Sequence, residues 1–183
     1  MIRIIAGTHK GRKIRFPHGL NARPTSDRVK EALFNIINSM FDFQKISVLD
    51  LFSGTGNISY EFASRGTELI TAVEGNYKSA NFLDRTCRDL NMSINVVHMN
   101  AYDYLEVCQE KFDLIFADPP YNFNQKSYHQ LIRRIEKKEL LKPEGSLIIE
   151  HEKKTDLSGE NLFSENRKYG NSCLSFYNQK ADR

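Results

Sequence analysis

The 183-residue chain has little of what marks several common protein classes. It holds only three cysteines, Cys87, Cys108 and Cys173, scattered along the chain with no Cys-x-x-Cys pair. Neither a disulfide framework nor a zinc site is supported, and buried reduced thiols are expected at all three positions. The five histidines (His9, His18, His98, His129 and His151) stand apart from one another and from metal-ligand spacing, so no metal is expected. No apolar run approaches the roughly 18–20 residues of a membrane-spanning helix. The start, Met1-Ile2-Arg3-Ile4-Ile5-Ala6-Gly7, lacks the long apolar middle and cleavage site of a signal peptide, so a cytoplasmic protein is expected. No internal repeat or low-complexity linker occurs. The length suits one domain with a real core and is too short for two ordinary ones.

Neither sign of charge dominates overall, the net being +3, yet the distribution is uneven. Residues 1–30 carry eight Lys and Arg against the single acid Asp27, a net of +7, while the rest of the chain nets −4. Basicity gathered at one end is the footprint of a nucleic-acid contact surface. A solvated mixed-charge face is the plainer alternative.

The N-terminal segment alternates basic and apolar residues over 3–6 and 12–16 around Gly7 and Gly11, which predicts a short hairpin with one charged face. Residues 19–24 read as loop. Thr25 and Ser26 are candidate caps for a helix over 26–41, where Val29, Leu33, Ile37 and Met40 recur at helical spacing. Strands and helices then alternate. Strands are expected at 46–52, 69–74, 94–99, 112–117 and 145–150. Helices are expected at 56–65, from the second strand to about 90, at 102–108 and at 125–138. A closing antiparallel pair is expected at 165–169 and 173–179, around Gly170-Asn171. Strands that are apolar throughout and separated by helices indicate a parallel α/β sheet covered on both faces, with an antiparallel strand inserted at one edge.

Two segments carry the chemistry. Asp50-Leu51-Phe52-Ser53-Gly54-Thr55-Gly56-Asn57 ends one strand and opens a helix, placing a glycine turn at the carboxyl edge of the sheet. It is not a dinucleotide fingerprint, because Ser59 stands three residues after Gly56, and no Gly-Lys-Ser/Thr phosphate loop follows. A cofactor without a pyrophosphate is favoured. Asp50 supplies a carboxylate for an ammonium group, as on a methionine moiety. Glu74, ending the second strand, suits the hydroxyls of a ribose, and Asn100-Ala101 after the third would border an adenine ring. Taken singly each has a dull reading, but the three sit at consecutive strand ends.

Asp118-Pro119-Pro120-Tyr121 ends the fourth strand. The two prolines fix φ and remove two backbone donors, leaving carbonyls as acceptors. An amine attached to an aromatic ring has its lone pair drawn into the ring and needs acceptors on its N–H groups. Asp118 and a backbone carbonyl would hold them, with Tyr121 stacked on the ring. The plain alternative is a Pro-Pro turn ending a strand, with Tyr121 as packing.

At these residues the chain resembles the Rossmann-like class I S-adenosylmethionine methyltransferases that act on amines, and more closely the RsmD family. The most specific string is Arg23-Pro24-Thr25-Ser26-Asp27-Arg28-Val29-Lys30-Glu31-Ala32-Leu33-Phe34-Asn35, preceded by Arg3-Ile4-Ile5-Ala6-Gly7 and Gly11-Arg12-Lys13. The resemblance covers nearly the whole length and implies a seven-stranded, mostly parallel sheet with one antiparallel strand. It implies a methyltransferase domain over 25–183, with residues 1–24 as a basic hairpin that contacts RNA. Asp50, Phe52, Ser53, Gly54, Thr55, Gly56, Asn57, Glu74, Asn100 and Ala101 would line the S-adenosylmethionine pocket. Asp118, Pro119, Pro120 and Tyr121 would clamp the target amine, and Arg3, Lys10, Arg12, Lys13, Arg15, Arg23 and Arg28 would contact RNA. Arg23, Thr25 and Arg28 would border the active site. The activity implied is methylation of a guanine N2 in 16S ribosomal RNA, by a monomer acting on an assembling small subunit. Ser53, Thr55 and Tyr121 stand where some relatives have Ala, Ser and Phe, and residues 57–60 differ from the usual Ala/Leu-rich helix start; none of these changes removes a functional group.

Three other readings compete: methylation of adenine N6, methylation of a protein glutamine, and a non-catalytic RNA-binding assembly factor. A DNA-directed enzyme usually carries a target-recognition domain for which this chain has no room. A protein-directed one would not need the basic hairpin.

Overall fold

The structure is a computed structural model that describes residues 1–17, 20, 25–120 and 122–180. The chain starts with a two-stranded ribbon, β1 (Ile2–Arg3) and β2 (Lys13–Ile14), with Ile2 opposite Ile14. This ladder is shorter than the expected hairpin. Beyond it Gly7 and Gly11 turn at φ 81° and 84°, and the alternation serves mainly to put Ile2, Ile4 and Ile14 inside. Helix α1 (Asp27–Met40) follows, capped by the Ser26 hydroxyl, which accepts the Val29 N–H. Alternation then gives β3 (Ser47–Leu51), α2 (Asn57–Ser64), β4 (Leu69–Glu74), α3 (Tyr77–Asp89), β5 (Asn95–His98), α4 (Ala101–Val107), β6 (Phe112–Ala117), α5 (Gln125–Lys137), β7 (Leu141–Glu152), β8 (Phe163–Tyr169) and β9 (Ser172–Asn178).

The seven-stranded sheet has the order β5-β4-β3-β6-β7-β9-β8. Strands β3 to β7 pair in parallel, and β9 runs antiparallel to both β7 and β8. The antiparallel strand therefore lies one place in from the edge rather than at it. Burial explains the order: Cys173 to Tyr177 of β9 are all buried, whereas Ser164 to Lys168 of β8 are all exposed. The apolar strand takes the covered position and the polar one takes the edge.

Side-chain alternation divides the sheet into two faces. Val48, Leu114, Phe116 and Ile148 pack beneath Leu33, Phe34 and Ile37 of α1 and Phe62 of α2. Leu49, Leu51, Ile115, Ala117 and Ile149 face Leu105 of α4 and Leu131, Ile132 and Ile135 of α5. A third cluster joins Ile2, Ile4 and Ile14 of the ribbon to Tyr60 of α2 and Leu83 of α3. Cys87 and Cys173 are buried as expected, but Cys108 is only half-buried, because it follows the last turn of α4 at the surface.

The ribbon is bolted to α2. Thr8 N–H donates to the Ser64 carbonyl at 2.7 Å, and the Ser64 hydroxyl donates to the Ala6 carbonyl at 2.6 Å. A side chain at Gly7 would meet the Ser64 carbonyl oxygen at 1.8 Å, so only glycine fits. Lys30 is wholly buried; its Nζ donates to the Arg3 carbonyl at 2.6 Å and to Glu61 Oε1 at 3.0 Å. Glu61 also accepts the Ile5 N–H at 2.9 Å and pairs with Arg65. One of the eight N-terminal cations is thus an internal anchor. Among the described residues no helix is long and apolar enough to cross a membrane, and no group of His, Cys, Asp and Glu could hold a metal ion.

Candidate active site

The chain runs outward from β3 to β4 and β5, then returns to β6 on the other side of β3. That reversal leaves a crevice at the carboxyl ends of the strands, where open α/β sheets bind ligands. The crevice is a cleft of about 1780 Å³. Its walls include Asp50, Phe52, Ser53, Gly54, Thr55, Asn57, Glu74, Asn100, Ala101, Asp118, Pro119 and Pro120.

One half of the cleft is built by the β3–α2 loop. Phe52 and Gly54 turn at φ 62° and 56°, the first being unusual for a side chain of that size. Ser53 donates to the Val73 carbonyl from its N–H at 3.0 Å and from its hydroxyl at 3.2 Å, tying the loop to β4. Glu74 completes the tie: Oε2 accepts the Gly54 N–H at 2.8 Å and Oε1 accepts the Asn76 N–H at 2.6 Å. Each carboxylate oxygen has a second lone pair for a hydroxyl. A side chain at Gly54 would point into open space, with nothing nearer than the Phe52 carbonyl oxygen at 4.0 Å. Gly56 differs, because a side chain there would strike Leu83 at 2.3 Å and the Tyr60 ring at 2.7 Å. It serves close packing beneath the loop and does not line the cleft.

Asp50 lies at the floor, 1% exposed, and accepts the Ser59 hydroxyl. Burial pushes its pKa up to about 7; the Ser59 bonds oppose that rise and the charge of Glu74 adds to it. Such a site favours an ammonium group, which would restore the charged carboxylate. Asn57 donates from Nδ2 to the Thr25 carbonyl at 3.0 Å, while its Oδ1 is buried with no partner among the described residues. A buried acid, an orphaned amide oxygen and a glycine-lined hollow fit a cofactor with an amino-acid head. Asn100 caps α4 by accepting the Tyr102 N–H at 2.9 Å, and Ala101 is buried beside it. The Met99 N–H donates to the Glu74 carbonyl at 3.1 Å, which sets this turn next to the Glu74 carboxylate.

The other half of the cleft draws on distant segments. Asp118 is half-buried, Pro119 buried and Pro120 exposed. The Pro120 carbonyl accepts the Phe123 N–H at 2.9 Å. One of the carbonyls expected to face the site therefore also closes the turn. That bond seats Phe123 against Phe52, Tyr102 and Tyr128, with ring centroids 5.2–6.1 Å away. Tyr121 and Arg23 lie outside the described residues.

Glu150, His151, Phe123, Tyr169, Lys153 and Lys154 also line the cleft, and sequence reasoning missed them. Glu150 is buried, and the Thr25 hydroxyl donates to its Oε2 at 3.0 Å. His151 lies 2.7 Å from the Ser175 hydroxyl, and burial holds its pKa below the usual imidazole range. A signal existed: Glu150-His151 follow the apolar Leu147-Ile148-Ile149 much as Asp50 follows Val48-Leu49.

Lys10, Arg12, Lys13, Arg15 and Arg28 are exposed, and among the described residues none is ion-paired. Arg3 is exposed but pairs with Asp27 at 2.6 Å.

Fold and strand-end loops together define a Rossmann-like methyltransferase. A family described as conserved hypothetical protein 95 matches residues 2–178. The ribosomal RNA small subunit methyltransferase D of Haemophilus influenzae is 35% identical over 157 residues, 83% of this chain and 79% of that one. On these matches the chain belongs to the RsmD family of methyltransferases. A protein of Thermus thermophilus, described as hypothetical, superposes with a TM-score of 0.85 at 26% identity, over 97% of this chain and 99% of that one. A 16S rRNA N2 G1207 methyltransferase from T. thermophilus, solved with AdoMet and guanosine, shares the fold. Its TM-score is 0.69 and its identity 18%, over 88% of this chain and 46% of that one.

Proposed function

We propose that this protein transfers a methyl group from S-adenosylmethionine to the exocyclic N2 amine of a guanine in 16S ribosomal RNA. The observation that carries the reading is the meeting, in one cleft, of the buried Asp50 and half-buried Glu74 strand ends with the Asp118-Pro119-Pro120 turn. In this reading the methionine ammonium sits against Asp50 and the ribose hydroxyls on Glu74. Asn100 and Ala101 would border the adenine, and Ser53, Gly54, Thr55 and Asn57 would hold the methionine. S-adenosylmethionine supplies the electrophilic methyl group.

The chain's own task is alignment. Asp118 and the Pro119 carbonyl accept the two amine N–H groups, turning the nitrogen lone pair out of conjugation and toward the methyl carbon. Holding donor and acceptor in line lowers the barrier chiefly by removing the entropy of their encounter. Asp118 would accept the proton that the amine gives up on methylation and pass it on to solvent. Phe52 and Phe123 keep the floor dry, and Tyr121 stacks on the base.

Chemistry on a base requires taking it out of the stack, and selective RNA recognition relies on splayed bases. Residues 1–24, with Arg28, form the RNA-contacting arm. Lys10, Arg12, Lys13, Arg15 and Arg23 meet phosphates, and Arg3 does so while held by Asp27. So small an arm needs help from RNA shape to choose one base, which favours a partly assembled small subunit as substrate.

The test uses labelled S-adenosylmethionine and small-subunit particles from cells lacking the protein, followed by nucleoside chromatography. Label in N2-methylguanosine supports the reading. Label in N6-methyladenosine or in protein overturns the target. No label with cofactor binding intact overturns catalysis.

A further inference from the structure

Helices α2 and α3 both follow the carboxyl ends of parallel strands, so they begin beside the cleft and end at the opposite pole of the sheet. The N-terminal ribbon lies along them. Its Phe16 ring packs edge-to-face with Phe82 of α3, with centroids 6.5 Å apart. At its tip the His9 N–H donates to the Ser64 hydroxyl at 3.0 Å, and His9 Nε2 lies 3.0 Å from the Leu90 carbonyl oxygen. The tip is therefore pinned where α2 and α3 end, away from the cleft. At the other end Arg3 pairs with Asp27 in the first turn of α1. Held at both ends, the ribbon is a fixed flank of the domain. With its 13 residues α3 carries that flank over about 20 Å.

The flank is basic along its length. Lys10, Arg12, Lys13 and Arg15 supply the ribbon's exposed cations. On α3, Lys78, Phe82 and Arg85 recur at i, i+4 and i+7, so they share the side of the helix opposite the buried Ala80, Leu83 and Cys87. Lys78 and Arg85 are exposed and, among the described residues, have no ion pair. Lys78 lines the cleft, and Arg85 stands two turns further toward the far pole. The neighbouring acids are mostly matched already: Asp27 pairs with Arg3 and Asp84 with Arg88, which leaves Asp89 as the remaining acid of α3. An excess of positive charge fixed along a rigid surface suits a polyanion with regularly spaced charges, and the sugar-phosphate backbone of RNA is one.

We propose that the RNA backbone leaves the cleft along this flank, over Lys78 and Arg85 of α3 and the ribbon cations, toward the pole where the ribbon tip is pinned. Lys78 and Arg85 are then RNA contacts in addition to those of the N-terminal segment. Phosphate contacts set orientation and register without reading sequence, so this track presents the RNA to the cleft and leaves the choice of base to the cleft itself. Because the ribbon is already held by α2 and α3, little ordering accompanies binding. The proposal rests on the RNA-methyltransferase reading above.

The experiment pairs Lys10→Ala with Arg85→Ala in one variant, since these two residues lie along the track and away from the cleft. A matched control combines Lys137→Ala, at the end of α5 on the other face of the sheet, with Lys180→Ala, which lines a hollow beside α5. Binding to small-subunit particles lacking the modification and to protein-free 16S ribosomal RNA is measured over a range of salt, together with S-adenosylmethionine affinity and thermal midpoint. For the Lys10/Arg85 variant the slope of log affinity against log salt should fall by about 1.5 on both substrates. The control should keep the parent slope, and cofactor affinity and midpoint should stay unchanged in both variants. An unchanged slope overturns the proposal. So does an equal fall in the control, which would mark a diffuse effect of net charge, or a fall accompanied by a lowered midpoint. A fall confined to the assembled particles also overturns it, by assigning the flank to an acidic protein partner. The parent protein judges the underlying reading separately: if it places no methyl label in RNA, the RNA target is lost, whereas labelled RNA with an unchanged variant slope removes the track alone.

Discussion

The two halves of the cleft are built in different ways. In the cofactor half, most of the polar side chains are tied to backbone a few residues or one strand away: Ser53 to Val73, Glu74 to Gly54 and Asn76, Asn100 to Tyr102. In the substrate half the ties span the chain. Thr25 meets Glu150 across 125 positions, and its carbonyl accepts from Asn57 of the cofactor half across 32, which joins the two halves. A pocket made of strand-end turns is held by contacts within and between neighbouring strands. A pocket made of α1, β6 and β7 exists only when the whole domain has closed.

The sharpest break of that comparison is Asp118→Ala. It removes an amine acceptor from the substrate half and leaves the cofactor half untouched. We expect kcat to fall about 10³-fold while S-adenosylmethionine affinity, read by calorimetry, stays within about threefold. Equal losses in both would show that the halves are not separable.

Lys30→Met tests the link between the N-terminal ribbon and the domain. It leaves Glu61 buried with, among the described residues, Arg65 and the Ile5 N–H as its remaining side-chain partners. A destabilisation of about 3 kcal/mol in denaturant unfolding is expected, from breaking one side of a buried pair. A change below about 1 kcal/mol would mean that Arg65 compensates.

Asp50 sharpens the comparison through pH. Its pKa in the cofactor-free protein lies near 7, raised by burial, so ammonium binding releases a proton below that pH. Cofactor affinity should climb by up to about tenfold per pH unit as pH rises toward 7 and then level off. Asp50→Asn should flatten the profile. The sign for stability is the reverse. A carboxyl raised in the folded state contributes fully below its unfolded pKa, and the contribution is lost as pH rises through 7. The cofactor-free protein should therefore lose thermal stability across that range, and S-adenosylmethionine should restore it.

The smallest effect belongs to the exposed arm. Replacing Arg12 and Lys13 with Ala should weaken RNA binding severalfold and lower the slope of log affinity against log salt by about 1.5, with cofactor affinity unchanged. An unchanged slope would place the RNA elsewhere on the surface.

Legibility followed the same division. The alternation of buried strands and helices, the glycine turn after Asp50 and the Asp118-Pro119-Pro120 turn were all readable, because apolar periodicity and turn chemistry act over a few residues. The elements came out within a few residues of expectation, except that β7 starts at Leu141 and the ribbon ladder is shorter. Three things were not readable. Lys30 looked like one more surface cation, since nothing nearby in sequence announces Glu61. Gly56 looked like a ligand-facing glycine, yet Leu83 and Tyr60 leave it no room for a side chain. The antiparallel strand was placed at the edge, where the polar β8 lies instead.

The sequence by itself determined which segments become strands and helices and which turns end them, because φ preferences and hydrophobic period are local properties. It also determined the family, through its Arg23–Asn35 string and its two strand-end motifs. Only the tertiary structure decided which charges are inside, which strand is covered, and that Thr25, Asp118 and Glu150 share one wall. Those outcomes depend on desolvation and on contacts between residues far apart in the chain, and both come into being only when the domain packs.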